Sequence, residues 1–121
     1  MNNKFEYDYD IEGDSLFIYS TDKYEYEVSL ELDNNVILDI DCDKNPVAFE
    51  FLNASKLFKL DKSYFNNLSK ITIHSNITNK TIDLKVELIV PVHNKTQTFA
   101  FNGITSNLND IPAIESELVL A

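Results

Sequence analysis

The chain has 121 residues, 44% of them hydrophobic, and a formal net charge of −10. That composition fits one globular domain, 1–121, with enough apolar surface for a core; it excludes intrinsic disorder, and no run approaches the 18 apolar residues of a membrane-spanning helix. All ten cations are Lys and there is a single Cys, which excludes fork-type Arg recognition of phosphate and any internal disulfide.

The charge is concentrated. Residues 1–52 hold fourteen Asp/Glu against three Lys, and residues 53–121 hold six against seven. Such a first half repels nucleic acid and anionic lipid and can attract a basic partner. The plainer reading is that the acids occupy the solvent faces of strands. The start of the chain lacks an apolar leader segment, so a cytoplasmic location is expected.

Phe5 to Asp10 alternates aromatic and acidic residues, so the aromatics share one face of a strand. Ile11–Asp14 reads as a turn, with Gly13 expected to take positive φ. Leu16–Tyr19 is the return strand. Tyr24–Leu32 is the cleanest alternation in the chain, even positions apolar. Val36–Cys42 follows after a turn at 33–35, with Cys42 expected inward as a small buried hydrophobe. Asp43–Pro46 turns, and Val47–Phe51 is the fifth strand. The expected core unites Tyr26, Val28, Leu30, Leu32, Leu38 and Ile40 with Phe49 and Phe51.

From Ser55 the period changes. Leu57, Phe58, Leu60, Tyr64, Phe65 and Leu68 fall at helical spacing, as one kinked helix or two short ones, with Asn53 or Ser55 capping the start and Asp61 a second piece. Strands resume at Lys70–His74, Thr81–Val92, Thr96–Phe101 and Ile114–Leu120, with 102–112 read as loop. The fold class is α+β, mainly β: an antiparallel five-strand meander over 5–52, a helical connector over 53–68, then about four more antiparallel strands over 69–121, packed into one core.

Tyr7-Asp8 with Gly13-Asp14-Ser15-Leu16-Phe17-Ile18, then Val36 to Asp41, then Phe49-Glu50-Phe51-Leu52-Asn53-Ala54-Ser55, resembles the domain-of-unknown-function family 2283 over residues 5–58. The resemblance implies small bacterial and archaeal relatives without an established activity, so it brings no mechanism. It singles out Asp14, Glu50 and Asn53 as its polar residues. Asn45 and Ala48 stand where the family tends to place Gly, and Ala48 bars a close backbone approach.

Other chemistry is thinly represented. Asp39, Asp41, Asp43 and Glu50 mimic the spacing of a calcium loop, but Lys44 replaces the required Gly and the flanks are strands, so no metal is expected. His74 and His93 have no second ligand at helical spacing and read as surface residues. Lys56, Lys59 and Lys62 read as a solvated helix face. There is no phosphate loop and no nucleophile elbow, hence no catalytic residue and no cofactor to assign. The expected function is a non-catalytic interaction module, either a homo-oligomer or the acidic partner of a basic protein, with no nucleic acid or membrane among its partners. The alternative is a small ligand-binding protein or enzyme using carboxylates in a cleft.

Overall fold

The structure is a computed structural model that describes residues 5–33 and 35–120. Its strands are β1 (Phe5–Asp10), β2 (Ser15–Ser20), β3 (Tyr26–Leu32), β4 (Val36–Asp41), β5 (Pro46–Leu52), β6 (Lys70–Ile77), β7 (Thr81–Val92), β8 (Lys95–Ser106) and β9 (Ile114–Leu120). Between β5 and β6 lie a single helical turn, α1 (Ala54–Phe58), and a 3₁₀-helix, Lys62–Asn67. The first five strands form one antiparallel sheet in the order β1-β2-β5-β4-β3, and the last four a second in the order β8-β7-β6-β9.

Each sheet contains a Greek key, three hairpin-linked strands with a fourth returning beside the far one. In the first sheet β5 inserts between β2 and β4, so pairing departs once from simple chain order. The link at 21–25 must therefore cross three strand spacings, about 14 Å, which six extended steps can span. It is fastened on the way: the Cys42 amide donates to the Glu25 carbonyl at 2.8 Å. In the second sheet β9 returns beside β6 with Ser75 opposite Ser116.

Alternation decides what lies between the sheets. Leu16, Ile18, Leu30, Leu32, Leu38, Ile40, Phe49 and Phe51 from the first sheet join Ile71, Ile73, Leu84, Val86 and Leu88 from the second in one buried cluster. The connector seals this core: the Phe58 ring meets Phe51, Phe65 and Phe101 edge-on at centroid distances of 5.6, 6.3 and 6.2 Å, and Tyr9 stacks on Phe65 at 4.6 Å. The helical period at 55–68 is thus a pair of short pieces. Asp61 starts the second by accepting from the Ser63 amide at 3.1 Å and hydroxyl at 2.6 Å.

Several expectations give way. Tyr26 is 56% exposed and Val28 only half-buried, because the β3–β4 register shifts between these two residues and the parity of the strand breaks there. Cys42 is exposed: β4 ends at Asp41, and Cys42 has already entered the turn. Gly13 does not take positive φ; Asp14 does, at 53°. What Gly13 supplies is space, since a Cβ there would lie 2.7 Å from the Asp10 carboxylate. Residues 102–106, read as loop, complete β8, where Gly103 makes room for the Phe101 ring that a Cβ would meet at 2.9 Å. Of the turn at 33–35, Asn34 lies outside the described residues, and Asp33 takes φ 51°.

Candidate functional site

Asp14 is buried and held in the left-handed region at the β1–β2 turn. Its carboxylate accepts from the Tyr9 hydroxyl at 2.7 Å, the Ser55 hydroxyl at 2.6 Å and the Ser55 amide at 3.0 Å, and its carbonyl accepts from the Ala54 amide at 2.9 Å. Asp14 therefore caps α1 from 41 residues away in sequence, satisfying amides that the short helix cannot satisfy itself. Asn53 sits at the cap position, but its side chain donates instead to Asn35 at 3.2 Å, with its own backbone left-handed at φ 53°. The capping role that the sequence offered to Asn53 or Ser55 thus falls to Asp14.

The electrostatics follow from these bonds. Burial acts to raise the pKa of Asp14, but the Ser55 hydroxyl, the Tyr9 hydroxyl and the Ser55 amide outweigh it, with the Lys62 ammonium adding to them, and the net shift is downward. Tyr9 is pushed well up, first by burial and then by its bond to the Asp14 carboxylate and the charges of Asp14, Asp10 and Asp61. Asp14 is thus a fixed anion and Tyr9 a fixed donor. A general acid would need the opposite, a carboxyl shifted upward. The Lys62 ammonium itself donates to the Ile11 carbonyl at 3.2 Å, tying the connector to the same turn.

Glu50 belongs elsewhere. It lies half-buried on the face of the first sheet that points away from the core, opposite Phe17 on β2 and Ile37 on β4, and accepts from the Ser15 hydroxyl at 3.3 Å. Around it Asp8, Asp10, Ser15, Phe17, Asp39 and Leu52 line a shallow groove of about 600 Å³. Phe17 stacks on Tyr19 at 5.0 Å, and the Tyr19 hydroxyl donates to Asp8 at 3.2 Å. Desolvation first, then the Asp8 and Glu6 charges, push the Tyr19 phenol upward. β1 to β5 carry eight carboxylates and no Lys. The acids of this face were visible in the parity of β1; the aromatic pair of β2 beside them was not singled out.

The calcium-like acids do not converge. Asp41 is buried and accepts from the Asp43 and Asn45 amides at 3.0 and 2.9 Å, which makes it the organiser of a turn, while Asp39 on the outer face accepts from the Ser29 hydroxyl at 2.6 Å. Among the described residues no group of three or more His, Cys, Asp or Glu side chains could hold a metal ion. Cys42 has its thiol pushed upward by desolvation and by Glu25, Glu27, Asp41 and Asp43, the reverse of what activates a nucleophile. His74 faces Glu115 and Glu117 of β9 at 3.8 Å each. No described helix is long and apolar enough to cross a membrane.

Known proteins similar to this chain add a family and little chemistry. Residues 6–55 match the family described as protein of unknown function (DUF2283). A Methanosarcina mazei protein described as a putative hypoxanthine phosphoribosyltransferase is 33% identical over 107 residues, covering 88% of this chain and 85% of its own. An uncharacterized protein of Methanocaldococcus jannaschii is 33% identical over 118 residues, covering 97% of this chain and 98% of its own. No solved structure matches. The segment that matches the family holds both the Asp14 tether and the outer-face acids, and the relatives align over most of their length: the chain belongs to the DUF2283 family.

Proposed function

We propose that this protein is a non-catalytic, cytoplasmic interaction module that binds a basic protein partner on the outer face of its first sheet. One observation supports this above the others: of the eight carboxylates on the five adjacent strands all but the buried Asp41 are exposed or half-buried, these strands carry no Lys, and the stacked Phe17 and Tyr19 lie on the outer face. A face of that kind offers long-range attraction to Lys and Arg and an aromatic surface for their alkyl stems and cationic heads. Enzymatic use of a carboxylate has less support, because Asp14, apart from that face and the most heavily hydrogen-bonded of the candidates, is a helix cap with its pKa shifted downward.

The name of the Methanosarcina relative raises phosphoribosyl transfer as a second reading. That chemistry needs a cradle for a diphosphate, supplied by glycine-rich turns, helix N-termini or Arg forks. This chain has two Gly and no Arg, and α1 has five residues. The residues favour the interaction module.

The test is affinity purification from native lysate with wild-type protein and with the Asp8→Lys/Asp39→Lys/Glu50→Lys variant, partners being identified by mass spectrometry. A stoichiometric basic protein retained by wild type and lost from the folded variant is the expected result. Retention by both, or a partner that is acidic, overturns the reading. So does a second copy of this chain as the one stoichiometric partner.

A further inference from the structure

The two sheets meet where β3 touches β8, and β1 and β9 lie at their opposite edges. There a crevice of about 240 Å³ runs into the core between Phe5, Pro46 and Phe49 of the first sheet and Ile73 and Leu118 of the second. Two hydroxyls line it, Ser75 on β6 and Ser116 directly opposite on β9. Ser75 is 98% buried by its relative exposure of 2%, yet its hydroxyl has no hydrogen-bond partner among the described residues. Nor is that oxygen sealed in the core, for among the described residues no fully enclosed side-chain N or O lacks a partner. Every other buried polar side chain among the described residues has its bonds: Asp14 and Asp41 as above, Ser20 to the Asp22 amide, Asn107 to Thr78 and Ile111. A hydroxyl placed nine-tenths inside an apolar wall and left unbonded costs stability unless something else completes it.

We propose that this crevice is a binding site for a small neutral molecule with an aromatic or branched apolar body and one hydroxyl or carbonyl group. The volume sits below the usual range for drug-sized ligands, about 300–1,000 Å³, and suits one ring rather than a peptide strand or helix. Phe5, Pro46 and Phe49 supply the flat wall. Cross-strand partners such as Ser75 and Ser116 have Cβ atoms roughly 5 Å apart, so a single oxygen between them can bond to both. Charge sets the class: among the described residues no Lys or His lines the crevice to offset the cost of bringing in a carboxylate or phosphate. The site is separate from the outer acidic face, and either can fail without the other.

The test is NMR titration of the full chain with benzyl alcohol and, as its match without a hydroxyl, toluene. The expected result is saturable movement of the Ile73, Ser75, Ser116 and Leu118 amides with a Kd on the order of millimolar, the affinity that one small ring with one hydrogen bond supplies. Ser75→Ala should weaken benzyl alcohol by about 2- to 10-fold, as the loss of one net hydrogen bond does, and leave toluene unchanged. If that variant does not fold, Ser116→Ala carries the same comparison. No saturable shift at these amides overturns the proposal, as does equal binding of benzyl alcohol by wild type and the Ser→Ala variant.

Discussion

Replacing Asp14 by Ala removes three bonds to its carboxylate and leaves a β-carbon at φ 53° without the polar side chain that makes this region tolerable. Losing a helix cap costs about 0.5–2 kcal/mol, and stranding the half-buried Tyr9 and Ser55 hydroxyls costs about 1–3 more. These overlap, since Ser55 takes part in both, so about 2–4 kcal/mol is the expected loss. With a urea m-value of about 2 kcal/mol/M, the midpoint should fall by about 1–2 M. Asp14→Asn keeps a left-handed-tolerant residue and one acceptor, and should lose about half as much. The sign with pH is fixed by the downward shift. A carboxyl whose pKa is lowered on folding stabilises the fold above the ordinary value of 3.8 and loses that contribution as pH falls through the shifted value. The gap between wild type and Asp14→Ala should therefore be constant near neutrality and narrow below 3.8. Urea unfolding across pH measures both. A loss under about 0.5 kcal/mol, the size of an ordinary surface change, or a gap that widens in acid, refutes the tether.

Other consequences are equally direct. Leu30→Ala, at a position 7% exposed, should cost about 2–5 kcal/mol by chemical denaturation, and its exposed neighbour Glu31→Ala within about 0.5 kcal/mol; equal costs would contradict the inward and outward assignment of β3. Gly103→Ala forces the Phe101 ring to move and should cost about 1–3 kcal/mol, with Phe101→Leu in the same chain recovering part of it; a neutral Gly103→Ala would show that the ring has room. Tyr9→Phe should blunt the loss of stability above pH 10, because a phenol shifted upward on folding stabilises below its ordinary value of 10.0 and loses that contribution above it; an unchanged alkaline limb would remove Tyr9 from the network. Random-sequence duplex DNA at low salt should show no submicromolar binding by fluorescence anisotropy, and salt-sensitive binding there would reverse the electrostatic reading of the first sheet.

Much of this architecture was legible because each sheet is buried on one face only. Parity alone assigns Leu16, Ile18, Leu38, Ile40, Phe49 and Phe51 to the core, and a change from period two to period 3.6 marks the connector. Parity fails where the backbone slips. Tyr26 and Val28 have the same parity as Leu30, but a register shift lies between them, and nothing in Tyr24–Val28 signals it. Strand order fails for a different reason: the insertion of β5 between β2 and β4 is decided by contacts between residues some 35 apart, which no local pattern encodes. The candidate residues divide in the same way. Asp14 and Asn53 could be read as turn and cap, each from its neighbours, yet the bond that gives Asp14 its role goes to Ser55 on another element. The unbonded Ser75 was invisible, since a serine on the inward face of a strand reads as a gap in the alternation until the opposite strand is placed.

The two faces of the first sheet impose different requirements on what may approach them. Inward, the parity that buries Phe49 and Phe51 leaves Glu50 between them with no choice but the outer face, and the same holds for Asp39 between Leu38 and Ile40. The acidity of that face is therefore partly a by-product of a soluble β-sheet, and solubility alone would be met as well by a mixture of Lys and Glu. The strands use carboxylates only, with Lys44 pairing with Glu27 from the turn between β4 and β5. Like charges repel a second copy docking face to face, and they keep the acidic edges β1 and β3 from pairing with their equivalents in another molecule. A partner that meets this face has to bring the cations itself, and its grip must weaken as salt screens the row of charges, whereas a partner held by the Phe17–Tyr19 stack alone would bind with little change in salt.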